Sequence, residues 1–404
     1  MYFSDIPGMD ELKEKLMESV KNKRVSHTQL FFGPEGSANL ALAIAYARYI
    51  QCNQPTENDA CGKCPSCLKY NKLQHPDLHF IYPVAKKGKS SESDENESSD
   101  KSGDEPSSLD FIKEWREFIL TNKALVSYKD WLEFAGFGKR ALIYTRDTRE
   151  IFKRLNYKSF ESQYKILIIW YPEKFFHSAS HRLLKSLEEP PDKTVFILVS
   201  ENKDEILPTI LSRCQSTFVP PFTQPELKQA LQNNLHLSET ESSHYASIAD
   251  GNFVVARHLA NENSDFHNYF DFFANWFRYC YNFKYKPKKT EAKEAPYFTE
   301  ALKIFESMGQ EGQKHFLLFG IRLLRNSLFY SVKTEKLVKL EGEEQLFARN
   351  FSPFVHSQNI TLYSDAFGKA IMALERNSSP NMVFTNLTIS VHELISATRT
   401  KSMS

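Results

Sequence analysis

The sequence lacks several things that whole classes of protein require. Net charge is almost nil: 51 Lys and Arg against 50 Asp and Glu leave +1 over 404 residues. No basic sheath covers the chain, so any nucleic-acid contact must be local or shared with partners. Long apolar runs are missing too. The longest, Ile166–Trp170 and Thr194–Val199, fall far short of the ~20 residues of a spanning helix. The first twenty residues carry acids where an export signal needs a basic start and an apolar run, which predicts neither export nor membrane insertion. Glycine (14) and proline (18) are too few for a collagen-like or broadly low-complexity chain. Cysteine is scarce at six, yet Cys52, Cys61, Cys64 and Cys67 crowd together while Cys214 and Cys280 stand alone. Clustering without an export signal points to metal rather than disulfides.

What is present reads as two or three folded domains. Leu12, Leu16 and Val20 recur at helical spacing within 9–23. A short apolar run, Leu30–Phe32, breaks at Gly33 and resumes as an Ala-rich helix from about Leu40. Residues 87–108, KGKSSESDENESSDKSGDEPSS, are Ser-rich and acidic and read as a disordered surface loop, a solvated spacer. After it, LDFIKEWREFILTN and YTRDTREIFKRLN read as helices. YKILIIWY and KTVFILVSEN read as buried strands around a helix stopped by Pro190 and Pro191. Strands alternating with helices predict an α/β fold with a parallel sheet. ILPTILSRC reads as a short helix and QSTFVPPF as an extended end, with Pro220, Pro221 and Pro225 marking a domain edge. Beyond Pro225 the chain reads as all-α, with a break near 284–296. The aromatics of FHNYFDFFANWFRYCYNF (266–283) fall at several helical phases, which favours a packed core helix over a stacking platform for single-stranded DNA. The short KYKPKK stretch that follows reads as a solvated loop.

Three patterns carry chemistry. The spacing C-x8-C-x2-C-x2-C across Cys52, Cys61, Cys64 and Cys67 suits tetrahedral zinc, the x2 steps letting neighbouring sulfurs face one ion. Four thiolates close the coordination sphere, so the ion is a structural staple; reduced thiols or a redox role are the alternatives, and His75 is a substitute ligand. GPEGSANL (33–40) occupies the place of a phosphate-binding loop between strand and helix. A working loop needs Lys and Ser or Thr where Gly33 and Gly36 are followed by Asn39 and Leu40, so it reads as a vestigial loop kept for the fold, with weak nucleotide binding without hydrolysis as the alternative. The buried strand ILII likewise ends in Trp170 and Tyr171, where an ATPase places acids.

The order of HTQLFFGPEG, the cysteine cluster, LQHPDLHFIYP, YKILII, HRLLKSLEEPPDKTVFILVSEN and ILPTILSRC resembles the delta-prime family of the bacterial DNA polymerase III clamp loader, a group of AAA+ proteins. GNFVVARHLA resembles that family's lid motif, and ERNSSPNMVFTNL the last helices of its collar. The resemblance implies an AAA+ RecA-like domain over 1–222 with a zinc module (52–67) and a disordered insertion (87–108), a helical lid over 223–262, and an all-α collar over 263–404. It implies a loader subunit that does not hydrolyse ATP, with no functional ATP site. Val254 stands where active members keep an arginine. Arg213, in Ser212-Arg213-Cys214, would act as an arginine finger in the neighbouring subunit's ATP site; the plainer role is a helix-end arginine paired with a carboxylate such as Glu205. Cys214 reads as a small packed residue. Implied partners are the gamma/tau ATPases and delta, primed DNA within the complex and, indirectly, the sliding clamp, in the cytoplasmic replisome. A hydrolysing motor subunit of the same loader and a zinc-dependent DNA-binding adaptor are the alternatives.

Overall fold

A computed structural model describes residues 1–86, 105–138, 140–261, 269–282, 295–338, 340 and 342–402. The chain forms two compact units, Met1–His258 and Leu259–Ser404. In the first, the elements run α1 (Asp10–Lys21), β1 (Thr28–Phe32), α2 (Asn39–Ile50), α3 (Pro65–Tyr70), β2 (Leu78–Ile81), α4 (Ile112–Thr121), α5 (Tyr128–Ala135), α6 (Thr145–Leu155), β3 (Lys165–Trp170), α7 (His177–Glu188), β4 (Thr194–Ser200), α8 (Pro208–Leu211), β5 (Gln215–Phe218), α9 (Gln224–Leu235), α10 (Glu239–Ile248) and α11 (Phe253–Asn261). The strands pair in the order β2-β3-β4-β1-β5, every pair parallel.

The sheet follows from its apolar runs. All of β3 and β4 is buried, as expected of central strands covered by helices on both faces. One face packs on α2, whose twelve residues are all buried; its four alanines let the helix backbone lie close to the sheet. The other face collects Leu30, Leu167, Ile169, Phe196 and Leu198 from the strands with Ile151, Leu155, Leu183 and Leu187 from α6 and α7. Alternation along each strand sends successive side chains to opposite faces, so both layers are sealed.

Three segments differ from the expectations. Residues 105–108 are not disordered: Ser107 and Ser108 are fully buried. Their hydroxyls and the Ser108 N–H donate to one oxygen of the buried Asp147 carboxylate at 2.6–2.9 Å. A buried acid needs such donors, and that need orders the polar tail of the segment. The rest of it, 87–104, lies outside the described residues. Strand β2 and helix α5 also had no counterpart in the sequence reading.

The second unit holds α12 (Tyr269–Asn282), α13 (Ala295–Ser307), α14 (Gly309–Ser331), α15 (Gly342–Phe351), α16 (Ile360–Glu375) and α17 (Pro380–Ser402), with no strand among its described residues. Phe273, Trp276 and Phe277 of α12 are buried. Phe273 and Trp276 pack against Phe316 of α14, and Trp276 also against Phe367 of α16 and Phe384 of α17, while Phe277 packs on Phe351 of α15, so this aromatic helix is core. The indole N–H of Trp276 donates to Thr388 at 3.0 Å. The 284–289 stretch lies outside the described residues. No described helix is long and apolar enough to cross a membrane.

Candidate functional site

The glycine loop joins the end of β1 to the start of α2, the position from which backbone N–H groups can meet an anion. Here its polar groups meet one another. The Asn39 amide donates to the carbonyls of Gly33 at 2.9 Å and Ser200 at 3.1 Å, and its oxygen accepts from the Ser37 hydroxyl. Both glycines serve close packing of the chain itself. A Cβ on Gly33 would lie 2.0 Å from the Val219 carbonyl; on Gly36, at φ +77, it would lie 1.9 Å from the Asn252 side chain. The N–H of Phe253, at the head of α11, donates to the Gly36 carbonyl at 3.1 Å. The cavity left between Asn39, Leu40, Trp170, Tyr171, Val199 and Glu201 is about 10 Å³, room for one water at most.

Aromatic bulk closes the far side. Trp170 and Tyr171 are each 4% exposed. Trp170 packs on Trp115 of α4 (centroids 5.1 Å) and Tyr171 on Tyr128 of α5 (5.2 Å). Tyr171 adopts φ 56, a conformation that side chains rarely take. Its hydroxyl donates to Glu201 and accepts from the Tyr128 N–H at 3.2 Å. Burial pushes Glu201 up to about 8, with the charges of Glu35 and Glu173 adding to the rise, and pushes Glu173 up to about 7.

Val254, on α11, is buried. One turn further, a cation that the sequence reading did not weigh is anchored elsewhere. Arg257 donates to Asp130 at 2.6 Å, to the Leu125 carbonyl at 2.9 Å and to Asn122 at 3.0 Å, while His258 meets the other Asp130 oxygen at 2.9 Å. Asp130 also caps α5 with Ser127. Burial would raise this carboxyl, but the His258 hydrogen bond, the Arg257 charge and the Ser127 N–H together hold it well below the usual range. This cluster fastens α11 to α5 with protein groups alone. The Ser127-x-x-Asp130 pattern was a visible helix-start signal; nothing in the sequence assigns it Arg257.

The four clustered cysteines come together as their spacing predicts, all four Sγ atoms within 4.8 Å of one another. Their separations are 3.6 Å (Cys52–Cys67) and 4.0 Å (Cys52–Cys64 and Cys61–Cys67). Tetrahedral zinc with bonds of about 2.3 Å sets sulfurs about 3.8 Å apart. Backbone N–H groups of Cys61, Cys64 and Cys67 point at the sulfurs of Cys52, Cys61 and Cys64 at 3.3–3.4 Å, which suits thiolates. The residues therefore fit a zinc ion, held as a closed site with no position for substrate. His75 is not part of it: its Nδ1 accepts from the Asp77 N–H at 3.2 Å and its Nε2 faces Ser162 at 3.1 Å.

Arg213 lies just beyond α8, a helix started by Pro208. It donates to the Thr209 carbonyl at 2.8 Å and to Glu188, the last residue of α7, at 2.6 Å. Its carboxylate partner is thus Glu188 and not Glu205. The two side chains are 34% and 50% exposed, and such a surface pair is worth about 0–1 kcal/mol. Burial pushes the adjoining Cys214 thiol up to about 12, which disfavours the nucleophilic thiolate.

A family model described as DNA polymerase III, delta subunit, matches residues 8–223. Among curated relatives, DNA polymerase III subunit delta' of Bacillus subtilis (strain 168) is 25% identical over 244 residues, 59% of this chain and 56% of that protein. Subunit delta' of Pseudomonas aeruginosa is 25% identical over 195 residues, 48% of this chain and 43% of its own length. Subunit gamma/tau of Mycobacterium bovis is 25% identical over 228 residues, 56% of this chain and 30% of its own. The match thus spans about half, or less, of each relative. Because the family model takes in 216 of 404 residues, from the glycine loop through the cysteine cluster to Arg213, the chain belongs to the DNA polymerase III delta subunit family.

Proposed function

We propose that the chain is a clamp-loader subunit of a DNA polymerase III holoenzyme that does not hydrolyse ATP and lends Arg213 to the ATP site of a neighbouring subunit. One observation carries this reading: Asn39 occupies the interior of the glycine loop, and the space beside it is about 10 Å³, too small for a triphosphate. A nucleotide would have to displace Asn39, Trp170 and Tyr171, breaking the hydrogen bonds of Asn39 to the loop and of Tyr171 to Glu201. The weak tie of Arg213 to Glu188 at the surface supports a side chain free to turn to a partner.

In this reading residues 1–222 are the AAA+ domain, 223–262 its lid and 263–404 the collar that holds the ring. The cysteine cluster carries one structural zinc. Partners are the gamma/tau ATPases and delta, with primed DNA inside the assembly and the sliding clamp reached through it, in the cytoplasm. The gamma/tau relatives, as similar as the delta' ones, favour a second reading, a hydrolysing motor subunit; the filled loop counts against it. The net charge of +1 gives a DNA-binding adaptor no support.

The test is Arg213→Ala in a loader reconstituted with its ATPase subunits. Arginine fingers contribute roughly 10³–10⁵ in rate, so turnover at the adjoining site should collapse while the complex still assembles. Unchanged turnover in an intact complex refutes the role in trans.

A further inference from the structure

Arg48 is fully buried in α2, where a guanidinium without an opposite charge is costly. Its partners are all neutral. It donates to the Tyr2 hydroxyl, to the Cys67 carbonyl at 3.0 Å, to the Asn71 side chain at 2.8 Å and to the Met1 carbonyl at 3.4 Å. The ring of Tyr2 lies 3.6 Å from the guanidinium carbon, and the Nε has no acceptor. Among the described residues no carboxylate pairs with it. The group it does touch is the cysteine cluster, through Cys67, whose sulfur is 3.6 Å from that of Cys52. Four thiolates around one divalent zinc leave two negative charges, and Cys52, Cys64 and Cys67 are at most 8% exposed. A buried cation with no anion thus adjoins a centre that becomes a buried anion once loaded.

We propose that Arg48 is the counter-ion of this centre, a positioning residue whose charge sets how tightly the metal is held. The idea rests on the zinc reading above. It explains why an arginine stands in an otherwise Ala-rich, wholly buried helix, and why Tyr2 covers both: a Cβ on Gly62, between the ligands, would lie 2.9 Å from the Tyr2 hydroxyl. The guanidinium joins α2, the Tyr2 ring and the helix that carries Cys67.

The experiment uses the full chain, purified reduced, as wild type, Arg48→Gln and Arg48→Lys. Zinc affinity is measured by competition with a chromophoric chelator, cobalt substitution reports whether four thiolates still bind, and unfolding is followed with and without zinc. Groups outside the ligand set change metal affinity by about 10–100-fold, so Arg48→Gln should weaken zinc by that much and Arg48→Lys should recover most of it. The stability lost in Arg48→Gln should be larger with zinc than without. Equal losses in both forms with unchanged affinity, or Arg48→Lys no better than Arg48→Gln, overturns the counter-ion. Wild type that takes up neither zinc nor cobalt sinks the zinc reading itself, a separate result.

Discussion

Replacing Asn39 by alanine separates a plug from a nucleotide ligand. The substitution removes two donors that reach the Gly33 and Ser200 carbonyls and the acceptor used by Ser37. The Ser200 carbonyl keeps the Gly33 N–H at 3.3 Å and the Ser37 hydroxyl keeps the Pro34 carbonyl at 2.6 Å, so the buried Gly33 carbonyl bears most of the loss. At about 1 kcal/mol per hydrogen bond, and up to 3 for a buried group left unpaired, the cost is about 2–4 kcal/mol. Urea unfolding followed by tryptophan fluorescence reads it, since Trp115, Trp131 and Trp170 all lie in the first unit with the loop. The midpoint should fall in nucleotide-free buffer, and ATP should restore nothing. A variant within about 0.5 kcal/mol of wild type that loses an ATP-dependent stabilisation refutes the reasoning, because Asn39 would then serve a ligand instead of the fold.

Asp130→Asn leaves Arg257 buried without its anion; breaking such a pair costs about 3–5 kcal/mol, read as a lower urea midpoint. Because the Asp130 carboxyl lies below its usual value, its contribution is present above the unfolded pKa and lost as pH falls through the folded one, so the variant should lose part of the acid-side decline in stability. Glu201 behaves oppositely: raised to about 8, it binds a proton in the fold that the unfolded chain has released. Stability should therefore fall as pH rises from about 5 to about 8, by up to about 1.4 kcal/mol per unit, and Glu201→Gln should flatten that slope in denaturation series across the range. Stripping metal with a chelator should open residues 52–67 to proteolysis, and re-added zinc should protect them.

The parallel sheet was legible because β3 and β4 are continuous apolar runs, a pattern that only two-sided burial explains. Strand β2 was not: four residues, LHFI, with His79 in the apolar row, leave no period to detect. Ser107 and Ser108 belong by composition to an acidic, serine-rich tract, and their burial depends on Asp147, some forty residues away, which no local pattern encodes. The cysteine cluster was readable because its four ligands are close in sequence. Asn39 was visible only as a missing lysine; its role as donor required the Ser200 carbonyl, brought in by β4 from 161 positions away. Arg48 offered no sign of burial at all, since helix propensity ranks arginine with other good formers and only the Tyr2 and Cys67 contacts reveal its place.

The most direct test of the central claim is titration of magnesium ATP into the purified chain, with phosphate release followed in the same sample. The account predicts no saturable binding up to millimolar nucleotide and no release above buffer. Micromolar binding accompanied by steady hydrolysis would contradict it.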